Sequence, residues 1–214
     1  MRYWFGITLF AIGMLMAGWH GYRWWEESTA VIVDRTEARS VSLHWEDTTI
    51  QEPMPHKTTS EDQSRVSAAQ TFTTGEKIAE LTIPKLDRIY PVFWGTDKET
   101  LQQGIGMYDS PSMAQPDQLG HTGLAGHRDT VFVGLDTLQP GDRIYLDFQD
   151  QTYEYQIRKT WITDANDRSV LTEKQAPTLT LTTCYPFNFI GSAPDRFIIQ
   201  ADLIGKQTLE GSAT

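Results

Sequence analysis

The chain has 214 residues, 39% of them hydrophobic, and a formal net charge of −10. An acidic balance of that size argues against a nucleic-acid ligand and against a polybasic membrane contact. The chain has one cysteine, Cys184, which excludes an internal disulfide.

Residues 3–19, YWFGITLFAIGMLMAGW, carry no charge. That length is at the short end of a membrane-spanning helix, which needs roughly 17–25 apolar residues. No small-x-small cleavage site follows the run, so the pattern predicts an uncleaved anchor over residues 1–25 rather than a signal peptide. Trp24 and Trp25 suit a membrane–water interface, and the slight basic bias at Arg2 predicts an internal N-terminus with the rest outside.

Residues 26–75 are rich in Glu, Asp, Ser, Thr and Gln and hold few large apolar side chains. Such a segment buries too little surface to offset its ordering entropy and reads as a polar stalk. Within it, residues 31–45 (VIVDRTEARSVSLHW) are compatible with a short helix or strand.

From Ile78 to Ile204 the pattern changes. The runs IAELTIP (78–84), RIYPVFW (88–94), RIYLDF (143–148), TYEYQIRKTWI (152–162), TLTLTTC (178–184) and RFIIQADLI (196–204) are β-branched or aromatic, with turn residues between several of them. Many short strands of this kind predict a small barrel or sandwich. TDKETLQQG (96–104) reads as one short helix, with Thr96 as N-cap, Glu99 three residues on and Gly104 as the stop. A second short helix is expected near VFVGL (131–135). The expected organisation is an anchor (1–25), a stalk (26–75), one folded domain (76–205) and a tail (206–214).

Outside the cytosol cysteines usually pair, so a lone thiol is an inert buried group, an intermolecular bridge or a reactive group. Strand parity bears on the choice. In TLTLTTC, Leu179, Leu181 and Thr183 share one face, while Thr178, Thr180, Thr182 and Cys184 share the other. In RFIIQADL, Phe197, Ile199, Ala201 and Leu203 make the apolar face, opposite Arg196. The thiol and the guanidinium therefore both face away from the leucines, each at a strand end.

A thiol near pKa 8.5 needs a partner to be a good nucleophile at neutral pH, and histidine is the usual one. His20 lies at the anchor boundary, and His44 and His56 lie in the stalk. His121 and His127 remain, the first in an apparent turn and the second at the end of a small-residue strand, TGLAGH. One cysteine and two histidines without HxH or HExxH spacing do not suggest a zinc site.

The segments GLAGHRDTVF and LTLTTCYPFNFIGSAPDRF resemble the histidine and TLxTC…R motifs of sortases, the membrane-anchored cysteine transpeptidases of Gram-positive bacteria. The resemblance runs from about Gly75 to Ile204 and is strongest to class D. It implies an all-β fold, an eight-stranded barrel with a few short helices, here behind an N-terminal transmembrane helix. It implies Cys184 as the nucleophile on the threonyl carbonyl of an LPxTx-type sorting signal. His127 would be the proton donor and acceptor, Arg196 the oxyanion stabiliser, and Thr183 a border of the substrate groove. Parity also permits a simpler role for Thr183, a core-facing hydroxyl bonded to backbone, and Arg196 has a salt-bridge alternative with Asp195 or Asp202. His121 reads as a bystander, and Arg128 and Asp129 as a structural pair. The partners implied are secreted proteins with a C-terminal LPxTx-type signal, a peptidoglycan precursor or other amine acceptor, and the membrane. No cofactor or metal is expected. A membrane-tethered peptidase that only hydrolyses would use the same residues. A binding module would have no need of all three.

Overall fold

The computed structural model describes residues 2–29, 31–55, 71–188, 191 and 193–209. The middle of the expected stalk, residues 56–70, and the last residues of the tail lie outside them.

Eight strands close into a barrel: β2 (Lys77–Ile83), β3 (Arg88–Trp94), β4 (Ile105–Met107), β5 (His121–Ala125), β6 (Arg143–Phe148), β7 (Gln151–Asp164), β8 (Thr178–Tyr185) and β9 (Asp195–Thr208). Their order is β3-β2-β6-β7-β9-β8-β5-β4, and a parallel pairing of β4 with β3 closes the ring. A two-residue strand, β1 (Ile32–Val33), adds to β3. The expected eight-stranded barrel with a few short helices is therefore the fold.

Alternation fills the interior. Ile144, Leu146 and Phe148 of β6 and Leu179 and Leu181 of β8 are fully buried, and they share one core with Leu81, Val92, Leu124 and Ile199. Each such side chain contributes roughly 1.5–3 kcal/mol over its exposed state. The expected helix over 96–104 is α3 (Lys98–Leu101), shorter and capped one residue later. The Asp97 carboxylate, not Thr96, accepts from Thr100 N at 3.0 Å. The helix expected near residues 131–135 appears as a 3-10 turn at Leu135–Thr137.

The N-terminal run forms α1 (Arg2–Thr29), 28 residues long. Trp4, Ile7, Phe10, Leu15 and Trp19 are all exposed on it. The described residues contain no helix that is both long and apolar enough to cross a membrane. Here the structure falls short of the expected span: four glycines, Thr8, His20 and the amphipathic Tyr and Trp rings dilute the hydropathy of α1.

Residues 31–55 also differ from the stalk expectation, since they lie against the barrel as a strap. Asp34 caps α2 (Arg35–Ser40), Ala38 is fully buried, and Arg39 pairs with Asp87. Farther along, Gln156 of β7 both accepts from Gln51 N at 2.8 Å and donates to Thr49 O at 2.9 Å. Arg158 donates to Gln51 O at 2.7 Å, and Met54 N donates to Leu203 O at 2.9 Å. Gly141, at φ 99°, lies so close that a Cβ would meet Thr48 O at 2.5 Å. The strap is held by backbone and polar groups, which is why low apolar content concealed it.

Candidate active site

β5 runs parallel to β8, with Ala125 opposite Thr182, and β8 runs antiparallel to β9. The ends of β5 and β8 and the start of β9 therefore meet at one rim of the barrel. Cys184 and Arg196 are direct partners across the β8–β9 pair. His127 leaves the end of β5 beside them, two residues beyond Ala125. The structure thus brings His127, Cys184 and Arg196 to one rim. Cys184 is a free thiol, half-buried.

Backbone contacts fix the histidine loop. Gly126 N donates to Thr182 O at 3.2 Å, and the Thr183 hydroxyl donates back to Gly126 O at 2.8 Å. The His127 carbonyl then accepts from Val131 N (3.2 Å) and Phe132 N (2.7 Å). This tight turn lays the Phe132 ring on Gly126, where a Cβ would fall 2.7 Å from two ring carbons. Phe132 is in turn braced edge-to-face by Tyr90, with centroids 5.8 Å apart.

Thr183 is buried, bonded to the carbonyl beside His127. The structure gives it the core-facing role that parity allowed rather than a place on a groove wall, and it makes Thr183 a tie between the nucleophile strand and the histidine loop. Arg128, also buried, donates to Gly191 O at 3.1 Å and so reaches the β8–β9 loop.

Arg196 lies at the foot of β9 with Nη1 donating to Asp195 O (2.9 Å) and Ala193 O (3.3 Å). These contacts orient the guanidinium fork. Asp202, one alternative ion-pair partner, is instead bonded by Arg158 at 3.0 Å. Among the described residues Arg196 forms no ion pair. On the other side of the loop, Tyr185, Phe187 and Phe197 form an edge-to-face aromatic series that anchors the chain beyond the thiol.

The face of β8 that carries Cys184 is not open along its length. Thr178, Thr180 and Thr182 are all buried, and Cys184 is the first of that set to be uncovered. Two covering segments meet over Gly123, whose missing Cβ would lie 3.0 Å from each of Leu171, Met113 and Tyr108. The Tyr108 hydroxyl is 3.1 Å from Thr182 Oγ1. A cavity of about 290 Å³ opens beside Tyr108, lined by polar as well as apolar groups, among them Phe72, Trp94, Asp109, Met113 and Gln118. Sequence reasoning missed Tyr108 because it follows a three-residue strand with no visible alternation.

His121 is the first residue of β5 rather than part of a turn, and it is fully buried. Its Nδ1 lies 2.6 Å from Thr172 O and its Nε2 lies 2.7 Å from Thr180 Oγ1. Burial, more than any other influence, holds its pKa below the ordinary 6.5. Both nitrogens are occupied far from the rim, so His127 is the histidine available to the thiol.

A family model described as Sortase domain matches residues 81–204. The chain is 34% identical to sortase D of Bacillus subtilis (strain 168) over 194 residues, covering 90% of this chain and 94% of that protein. Among solved structures, the catalytic domain of B. anthracis SrtD superposes with a TM-score of 0.57 at 50% identity, covering 65% of this chain and 96% of that one. A Clostridium perfringens sortase D5 transpeptidase gives 0.57 at 28% identity, covering 69% and 91%. With its barrel, its rim and these likenesses, the chain belongs to the sortase family of cysteine transpeptidases.

Proposed function

We propose that this sortase cleaves an LPxTx-type sorting signal on a secreted protein and transfers the acyl part to a cell-wall amine. The observation that carries the reading is the direct opposition of Cys184 and Arg196, with the His127 loop tied to β8 beside them.

The residues have complementary tasks. The thiolate of Cys184 attacks the threonyl carbonyl carbon, since the thiolate is the nucleophilic form. Negative charge moves to the carbonyl oxygen, and the Arg196 fork, held at Nη1, donates to it. The tetrahedral adduct collapses to a thioester as the C–N bond breaks, and His127 gives a proton to the departing amine. An incoming amine then attacks the thioester carbon and loses a proton to His127. The new amide forms and the Cys184 thiolate is released. Thr182 lies two residues before Cys184, roughly 7 Å back along the strand, and touches Tyr108.

The anchor belongs to the same reading. α1 presents large apolar side chains along its length, and an exposed apolar helix calls for an apolar surrounding. We read it as the membrane tether, with the barrel outside the cell. The test of the chemistry is incubation with LPxTx peptides, with and without an amine such as triglycine, read by mass spectrometry. An amine-dependent ligation product supports transfer, and hydrolysis alone at saturating amine overturns it. The tether is tested by fractionation and N-terminal sequencing, where a soluble species starting after about residue 20 as the main form overturns it.

A further inference from the structure

We infer that His121 is a positioning residue, a neutral latch that holds the β7–β8 connection (165–177) as the wall beside the site. The inference rests on the reading of Cys184 as the nucleophile. The tautomer follows from chemistry. A carbonyl oxygen only accepts, so Nδ1 carries the hydrogen and donates to Thr172 O at 2.6 Å. Nε2 then accepts from the Thr180 hydroxyl at 2.7 Å, and Gln200 Nε2 reaches Thr180 Oγ1 at 3.4 Å. The relay therefore runs from β9 through β8 and β5 into the connection, with one neutral imidazole as its last donor.

What the latch holds is adjacent to the chemistry. At its start the connection bonds the β8–β9 loop, Ala165 N to Pro194 O at 3.1 Å, and Pro194 stands between the two residues whose carbonyls orient Arg196. In its middle, Leu171 packs over Gly123 and its carbonyl accepts from Ser112 Oγ at 3.3 Å. Thr172, next in sequence, is the residue His121 grips. The segment thus runs from the arginine side of the rim back over the buried part of the Cys184 face. Among the described residues, three side chains hydrogen-bond the connection's backbone between residues 170 and 177: Ser112 at Leu171 O, His121 at Thr172 O, and Thr178 at Ala176 O (3.0 Å), the last a local contact two residues away in sequence, so His121 is the one that ties the connection to a distant barrel strand. Holding a wall alters how a peptide is gripped, not how a thiol attacks, so the latch acts on KM.

The test uses the full chain carrying His121→Leu, His121→Asn or His121→Gln, assayed with an LPxTx peptide alongside amide hydrogen exchange. The Asn amide places an N–H where Nδ1–H stands and can still donate to Thr172, whereas Gln reaches toward Thr180 instead. Losing one hydrogen bond is worth up to about 10-fold in an equilibrium. His121→Leu is therefore expected to raise KM about 10-fold with kcat within about 3-fold, and to speed exchange in 165–177 selectively. His121→Asn is expected to restore both, and His121→Gln neither. The inference is overturned if KM is unchanged in folded His121→Leu, if kcat alone falls, or if Gln rescues as well as Asn. Should the Leu variant not fold, the Asn–Gln contrast decides. Absence of peptide turnover by the wild type defeats the proposed function, while the exchange measurement still decides whether His121 holds the connection.

Discussion

Cys184 and Arg196 face each other as register partners on β8 and β9, so the nucleophile and its guanidinium are joined through the sheet and by one short loop. A pair fixed in this way keeps its spacing when the loop moves, because the ladder sets it. The same ladder places Thr183 opposite Phe197, on the inward side.

Cys184→Ala is expected to abolish turnover, and a thioester adduct is expected on the wild-type cysteine by intact-mass measurement. Residual processing by the alanine variant would refute the assigned nucleophile.

His127→Ala is expected to retain almost no activity, and Arg196→Lys to lose about 10²–10³ in kcat, the usual cost of one oxyanion donor. An ammonium keeps the charge but lacks the planar fork. Near wild-type kcat in Arg196→Lys would show that charge alone suffices.

Thr183→Val preserves shape but leaves the Gly126 carbonyl without its 2.8 Å donor. A stability loss of about 1–3 kcal/mol is expected. The loss of kcat/KM should be accompanied by a changed chemical environment of the His127 ring in NMR. Wild-type stability and activity together would remove Thr183 from the site's framework.

A chain beginning at residue 71 is expected to fold and to turn over peptide, because Phe72 still packs on Trp94 and Phe148. It lacks the strap, whose several hydrogen bonds and buried Val31 and Ala38 contribute about 2–4 kcal/mol together. At this size that corresponds to a Tm roughly 5–10 °C lower than that of a chain beginning at residue 31. Equal melting temperatures would mean the strap is merely adherent.

The buried His121 gives stability a pH dependence of defined sign. Its native pKa lies below the ordinary 6.5, chiefly because burial disfavours the charged ring. Its contribution is therefore complete above about 6.5 and is lost as pH falls below that value. The Tm advantage of wild type over His121→Asn should shrink between pH 7.5 and pH 5. A constant difference across that range would contradict this account.

Much of this was legible in the sequence. The runs over β2, β3, β6, β7, β8 and β9 announce themselves through β-branched and aromatic residues, and parity put Cys184 and Arg196 away from the leucines. β4 did not announce itself, since Ile-Gly-Met is too short to alternate. Parity put the threonines of β8 opposite the leucines, yet they are buried too, with Tyr108 and His121 arriving from distant sequence to bond them. The strap escaped notice for a related reason: many of its attachments are hydrogen bonds and ion pairs, such as Gln156 with Gln51 and Thr49 and Arg39 with Asp87, which composition does not register. The small residues of TGLAGH were legible, but that the Phe132 ring packs on Gly126 is a property of the folded turn.

The parallel pairing of β5 with β8 fixes the nucleophile strand against the histidine strand whatever the length of the β6–β7 hairpin between them. Residues 126–177, with β6, β7 and their connections, form a detour that leaves the rim at the end of β5 and rejoins the barrel at the opposite end, where Thr178 pairs with His121. Insertions at the Gln149–Asp150 hairpin tip change the length of the detour without moving its ends. Within Thr178–Cys184 the tolerance vanishes: one added residue would turn the thiol into the core and a leucine outward. Length variation among chains with this rim should therefore gather at the β6–β7 hairpin tip and be missing from the six residues before the nucleophile.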